Sequence, residues 1–498
     1  MTTGQANKPM KVVCVYSTEH YYSVERPLHS PVEISFGIAS IATALMQAGY
    51  DVRLLVVTPR TDIASLIWQC AAELRPALFC LTAVSSQYEL IRSVAREVRQ
   101  NDPAARILLG GHHATLNPER VIEAPEFDAI CVGEGERAVV AYARQLEGDG
   151  IPSGIANLWL RTGGGIERNQ PDDFIQDLDS LPFVNREIWR EWIADAGSGA
   201  ALLLGRGCPN RCSYCSNHAL CRIASGRYVR FRSPSNVIGE LRQLVQDSPG
   251  LERVYLEVET LGANLEYTFE LCAHLAAFNR ERERPLSFGT NLALVRKIAA
   301  NEELLIRLKE ANFAFLNIGL ESGSERVRQE ILRRPRYSNG EIISFCRLAA
   351  SHGLAINLYV LIGVPGETLA DFRETVAVAR SCMPANVSLS IFQPYPGTDL
   401  YTTAMEMGLM GEETLVSTAE RRVARLDLPG FSRRQIQWAY ITFYYRVFRG
   451  SRPLADRLAV TVRTALEAWP AVSAFYHRAT KLPPVVAIKR MLGIGRGR

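Results

Sequence analysis

No stretch of this chain reaches the roughly 18 continuous apolar residues of a membrane span. The first ten residues are polar where a secretory signal would carry an apolar run. The expectation is a cytoplasmic protein. Neither sign of charge dominates: 56 Lys and Arg stand against 52 Asp and Glu, a formal net charge of +4. That is too little to point to nucleic acid. Internal repeats and long low-complexity tracts are absent, as are P-loops, serine–histidine triads and paired glycosidase-type carboxylates. What remains is 498 residues, 47% hydrophobic and 22% charged. Such a composition is ordinary for a globular protein, and the length suggests two or three domains, since one core rarely grows past about 250–300 residues. Eleven cysteines in a reducing compartment read as core residues, metal ligands or catalytic groups rather than as disulfides.

The pattern is α/β. Apolar strands at Lys11–Tyr16, Val52–Val57, Leu78–Ala83, Arg106–Gly110 and Asp128–Val132 alternate with helical spacing, which predicts a Rossmann-like parallel sheet over residues 8–150. Residues 151–195 read as a connector without chemistry, with Trp159, Trp189 and Trp192 packing it onto its neighbours. A second series starts at Ala201 and continues through Arg253–Glu257, Leu286–Asn291, Phe315–Gly319, Ala355–Ile362 and Val387–Gln393. Six strands with helical crossovers predict an open sheet or a partial barrel over residues 196–411, with ligands beyond the carboxyl ends of the strands. Residues 412–498 read as helical and basic, with 16 Lys and Arg against 3 acids from Arg421 onward. Aromatic residues interleave with that charge, so a membrane surface, an anionic substrate or a solvated helical face all fit.

The strongest local signal is Gly207-Cys208-Pro209-Asn210-Arg211-Cys212-Ser213-Tyr214-Cys215, which follows an apolar strand. Three thiolates on one loop can hold three irons of a 4Fe–4S cube and leave the fourth iron open. Cys221 as a fourth ligand, a structural zinc, or unligated thiols are the alternatives; zinc sites more often come as two separated pairs.

The spacing of Cys208, Cys212 and Cys215, with Tyr214 before the last, resembles the signature of the radical S-adenosylmethionine (radical SAM) enzymes. Three later segments resemble, in order, that superfamily's fourth-, fifth- and sixth-strand elements: Phe315–Gly323, Val360–Thr368 and Phe392–Thr398. Ahead of the cluster, Gly110–Thr115 and Val132–Glu136 resemble the cobalamin (vitamin B12)-binding domain attached to many of these enzymes.

The resemblance implies three cofactors: a 4Fe–4S cluster on Cys208, Cys212 and Cys215, S-adenosylmethionine, and cobalamin. For S-adenosylmethionine it implies Tyr214, Glu259 (with Asn264 after it), Asn291, Glu321, Ser322, Gly363, Gly366 and Glu367. For cobalamin it implies Ser85, Ser86, Gly110, Gly111, His112, Gly133, Glu134 and Gly135. The Asp-x-His-x-x-Gly motif that supplies a lower axial histidine in many cobalamin proteins is missing. After the first strand the chain reads Ser17-Thr18-Glu19-His20-Tyr21, so a base-off form without a histidine ligand is expected.

In the family, one electron from the cluster cleaves S-adenosylmethionine to methionine and a 5′-deoxyadenosyl radical. The implied activity is methylation of an unactivated carbon, or phosphorus, of a small-molecule precursor. A reductant such as flavodoxin or ferredoxin is implied. Cyclisation, ring contraction or oxidation without methyl transfer is the alternative. Methylthiotransferases carry three amino-terminal cysteines and a small β-barrel, of which Cys14 and Cys80 give only an echo. A non-catalytic cobalamin or iron–sulfur sensor is the remaining class. Cys14, Cys70, Cys80 and Cys131 read as core.

Overall fold

The computed structural model describes residues 9–19, 21–148, 151–411 and 421–468. His20 and parts of the basic C-terminal region fall outside these ranges. The first sheet is built on β1 (Lys11–Ser17), β2 (Asp51–Val57), β3 (Leu78–Thr82), β4 (Arg106–Gly110) and β5 (Ala129–Cys131), all parallel in the order β2-β1-β3-β4-β5. Their side chains alternate between two buried layers. Val13, Val15, Leu55 and Phe79 pack under helices 63–74 and 88–101, while Val12, Cys14, Leu54 and Cys80 pack under helices 36–47 and 136–146. Burial on both faces explains why these strands read as nearly continuous apolar runs.

The connector differs from the expectation. β6 (Leu158–Thr162) and β7 (Gly165–Arg168) add an antiparallel hairpin to the β5 edge, so the first sheet has seven strands and extends past residue 150. The Gly-rich stretch read as linker is the turn of this hairpin. It stays because Leu158 and Leu160 alternate into the core. Trp189, fully buried, meets Tyr16 edge-on at 5.7 Å. The loop after β1 is tied to the same segment by Leu28, which accepts from Ala194 and donates to the Trp192 carbonyl.

The second sheet runs β8 (Gly199–Leu203), then, after a short hairpin of β9 (Gly205–Arg206) and β10 (Arg230–Phe231), β11 (Arg253–Glu257), β12 (Ser287–Asn291), β13 (Phe313–Glu321), β14 (Ala355–Ile362) and β15 (Asn386–Ile391). The six long strands are parallel and follow chain order from β8 to β15, with no bond closing the ends. This is the expected partial (β/α)6 barrel.

The open β15 side is covered by helix 433–447. Its Ile436 and Phe443 join the barrel core, and Phe372 of helix 369–381 packs against Phe431 and Phe443. An exposed strand edge is thereby protected. The described C-terminal residues are not helical throughout, since 421–432 is a turn with a short bridge between Leu428 and Phe431. Among the described residues no helix is long and apolar enough to cross a membrane.

Trp189→Ala removes the largest fully buried side chain of the first core. A loss of about 3–5 kcal/mol is expected, read as a lowered urea midpoint for the tertiary signal of that domain.

Candidate active site between the two sheets

The site begins at a backbone constraint. Gly207 has φ +89°, and a Cβ there would lie 2.2 Å from the Tyr228 carbonyl oxygen. Only glycine lets the chain leave the β9–β10 hairpin and enter the cysteine loop. The Gly207 N–H donates to Glu259 at 3.1 Å. Downstream, Ser213 Oγ donates to the Ile331 carbonyl at 2.6 Å, and the Ser213 N–H bonds the Leu332 carbonyl. His218 lies between the Cys215 carbonyl (2.5 Å) and the Asp399 carboxylate (3.0 Å). Asn217 donates to Cys215 Sγ at 3.6 Å and accepts from the Tyr228 hydroxyl at 2.6 Å. These bonds tie the cysteine loop to the barrel from several sides.

Cys208, Cys212 and Cys215 lie within electrostatic reach of one another. Burial pushes the Cys208 thiol up to about 11 and also raises Cys212. Metal binding must therefore displace protons. Among the described residues no three ligating side chains close on a single ion. A cube asks for something else, because each cysteine binds a different iron. Cys221 turns its thiol to the His218 carbonyl at 3.1 Å. The donor set and its anchored loop fit a three-cysteine cluster.

Beside the loop lies a residue that the sequence did not single out. Arg334 donates to Cys212 Sγ (3.9 Å), the Tyr214 hydroxyl (3.5 Å) and the Gly319 carbonyl (2.6 Å). Glu321 lies 3.9 Å from the same guanidinium. Glu321 has φ +57° at a register shift in β13, a strained conformation for a residue with a Cβ. Burial raises its pKa against the pull of Arg334 and Tyr214. The expected pair Tyr214 and Glu321 is thus brought together at the cluster loop.

Several of the expected ligands make structural contacts of their own. Ser322 is fully buried, paired with the Thr375 hydroxyl and accepting from the Ser324 N–H. Glu367 accepts from the Gly363 (2.5 Å) and Val364 (3.2 Å) N–H groups, and burial pushes it up to about 8, so it braces the 363–366 turn from beneath. Gly363 packs against Ile436 and Gly366 against Ile331. Asn291 belongs to a hydrogen-bonded row inside the barrel, and Asn264 caps helix 265–280 by accepting from the Tyr267 N–H.

A cavity of about 490 Å³ lies between the two sheets. One wall is formed by Thr82–Val84, Gly110–His112 and Gly133–Gly135, the other by Gly205–Gly207, Tyr228 and Glu257–Glu259. It runs down beside Cys80, Leu108, Cys131 and Leu158, under helix 36–47. Gly111 has φ +90°, and a Cβ there would sit 2.7 Å from the Ala83 carbonyl oxygen and Thr82 Oγ1, so the backbone must lie bare against the β3 end. Ser86 Oγ is buried without a partner among the described residues, while Ser85 Oγ pairs with His113 Nδ1 at 3.0 Å. His113 is further held at 4.2 Å from the Tyr88 ring. The His112 ring stays accessible within the cavity although protein surrounds it, and desolvation lowers its pKa. Bare glycine turns and a slot into the sheet fit a large ligand with a tail, as cobalamin is.

Glu134 lines this cavity and is also held from the second sheet. Its carboxylate is engaged by Arg206 (2.8 Å), Arg230 (3.0 Å) and the Ile175 N–H (2.7 Å), and Arg206 also holds Glu136 at 2.5 Å. Burial alone would raise the Glu134 pKa, yet the hydrogen bonds and charges of Arg230 and Arg206 bring it below the usual value. Glu134 is a clamp between the sheets.

Residues 202–379 match the family model of the Radical SAM superfamily, and residues 31–143 match that of the B12 binding domain. An uncharacterized methyltransferase of Pyrococcus horikoshii is 25% identical over 423 residues, 82% of this chain and 87% of its own. The anaerobic magnesium-protoporphyrin IX monomethyl ester cyclase of Cereibacter sphaeroides is 26% identical over 73% of this chain and 59% of its own length. Two solved folds are similar. One is the radical S-adenosylmethionine methyltransferase TsrM of Kitasatospora setae, with cobalamin and a 4Fe–4S cluster bound (TM-score 0.64, 18% identity, 80% of this chain and 78% of that one). The other is the cobalamin-dependent S-adenosylmethionine radical enzyme OxsB, with aqua-cobalamin and S-adenosylmethionine bound (TM-score 0.67, 14% identity, 98% and 76%).

Arg206→Ala leaves the buried Glu136 carboxylate without its ion-pair partner and Glu134 with Arg230 as its remaining cation. A loss of about 3–5 kcal/mol is expected, with faster proteolysis between the sheets. Adding Glu134→Gln recovers part of that loss, which a double-mutant cycle measures. Since the folded pKa of Glu134 is lowered, its contribution is complete above the ordinary value of 4.5 and is lost as pH falls through the lowered folded value. Glu134→Gln therefore flattens the acid limb of stability against pH.

Proposed function

Because residues 202–379 match the Radical SAM superfamily and residues 31–143 the B12 binding domain, we propose that this chain is a cobalamin-dependent methyltransferase acting on an unactivated carbon or phosphorus of a small molecule. The observation that carries this reading is the shared cavity. The glycine turns of the first domain and the strand ends beside the cysteine loop form two walls of one space. A methyl donor and a hydrogen-abstracting group must meet the same substrate atom, so they need such a space.

Cys208, Cys212 and Cys215 would hold the cluster, with Arg334 placing a positive charge at Cys212. Tyr214, Glu321, Glu259 and the 363–366 turn would position S-adenosylmethionine at the same mouth. Gly110, Gly111, His112, Gly133, Gly135 and the Ser85–Ser86 turn would hold cobalamin. When bound, the cluster supplies the electron that cleaves S-adenosylmethionine, and cobalamin carries the methyl group. The chain's own contribution is to orient these groups and exclude water. A cytoplasmic location and a reductant such as flavodoxin or ferredoxin belong to this reading, as does an oxygen-sensitive cluster. A non-methylating radical reaction is the second reading, supported by the similarity to the cyclase.

Anaerobic protein reconstituted with iron, sulfide and cobalamin is incubated with S-adenosylmethionine and a strong one-electron reductant. Both 5′-deoxyadenosine and S-adenosylhomocysteine are expected, with the former lost in Cys208→Ala. Deoxyadenosine alone in the presence of substrate favours the second reading. Neither product from protein with a verified cluster contradicts both.

The C-terminal helices 433–447 and 454–468 expose Trp438, Leu454, Leu458 and Val462 among basic residues. This supports a peripheral contact with an anionic surface. Flotation with anionic vesicles is expected to fall several-fold in Leu458→Glu; equal flotation removes the contact.

A further inference from the structure

The inner face of the barrel carries one residue from each long strand: Glu257 opposite Leu203, and Asn291, Asn317, Asn357 and Asn386 in register with one another. Two hydrogen bonds connect the asparagines and a third anchors the last of them to the backbone. Asn357 Nδ2 donates to Asn317 Oδ1 at 3.0 Å, Asn317 Nδ2 to Asn291 Oδ1 at 3.2 Å, and Asn291 Nδ2 to the Val258 carbonyl at 2.9 Å. The last acceptor is a backbone carbonyl, which cannot donate, so it sets the orientation of every amide in the row. The Tyr255 hydroxyl joins by donating to Asn291 Oδ1 (2.6 Å) and accepting from Asn317 Nδ2 (3.0 Å). The row therefore ends on Asn357 Oδ1, an acceptor for which the described residues supply no donor.

Glu257 stands on the strand beside that of Asn291 and on the wall of the inter-sheet cavity. Its carboxylate has no hydrogen-bond or ion-pair partner among the described residues. The nearby arginines Arg206 and Arg230 are already committed to Glu134 and Glu136. The titratable groups that sense Glu257 are the phenols of Tyr255 and Tyr359, and a second acid, Glu259, lies beside it. Burial, with Glu259, pushes Glu257 up to about 7. The Tyr359 ring is 42% exposed, and Tyr255 is stacked on Phe315 at 6.2 Å. A half-buried carboxylate without a cation, on the wall of a cavity, is the chemistry that recognises an ammonium group through a charge-assisted ion pair.

We propose that Glu257 anchors the substrate by pairing with a protonated amine, which makes the substrate a small amine-bearing molecule. The inference rests on reading this cavity as the active site and adds the substrate's class to it.

The test uses cobalamin-loaded, cluster-reconstituted protein with S-adenosylmethionine present. Binding of 2-phenylethylamine and of the near-isosteric 2-phenylethanol is measured by calorimetry. The amine is expected to bind about tenfold tighter than the alcohol. Glu257→Gln is expected to bring the amine down to the alcohol's level, while Glu257→Asp keeps part of the preference. Equal binding of the two probes, absence of amine binding, or a preference that survives in Glu257→Gln overturns the proposal. Formation of 5′-deoxyadenosine by the same wild-type preparation separates the two failures. Cleavage without an amine preference removes the anchor alone, whereas no cleavage from loaded protein removes the reading of the site.

Discussion

Two arginines on the β9–β10 hairpin hold the carboxylates of Glu134 and Glu136, and the inter-sheet cavity depends on that contact. Arg206 and Arg230 stand directly before and after the cysteine loop in the chain, while Glu134 and Glu136 flank a glycine at the end of β5. A four-charge clamp of this kind costs desolvation at every member, and buried ion pairs seldom add net stability over apolar packing. Its value is positional. It fixes the turn that lines the first domain's wall at one distance from the strand ends that line the second.

The same logic holds the cluster loop. Ser213, His218, Asn217 and Tyr228 tie it to the barrel from several sides, and Arg334 draws Cys212, Tyr214 and the β13 carbonyls together. Strain at Glu321 is tolerated where the strand must turn a carboxylate toward that loop. The polar row in the barrel is held just as firmly, by a chain of amides fixed at one end by a backbone carbonyl. Prepared geometry of this sort lets a protein contribute orientation while cofactors contribute reactivity.

Much of the fold was legible because its signals are local. Buried parallel strands give apolar runs such as Lys11–Tyr16 and Ala355–Ile362, and three cysteines within eight residues stand out in any context. The hairpin at 158–168 was not legible, since its strands are short and its Gly-rich turn looks like a linker. Clamp partners were missed for a different reason. Glu134 sits in a motif that suggests a ligand, and only the fold brings Arg206 and Arg230 onto it across 72 and 96 residues. Arg334 and the asparagine row are equally silent in the sequence, because each depends on register between strands. Ser322 and Glu367 lay in recognisable segments but support the turns from behind.

The central claim is that both cofactor-binding walls face one space. Electron paramagnetic resonance of the reconstituted protein, with Co(II) cobalamin and the reduced cluster in the same sample, measures this directly. The account predicts a cobalt signal whose relaxation is quickened by the nearby reduced cluster. A cobalt spectrum unchanged by reduction of the cluster would place the two groups apart and contradict it.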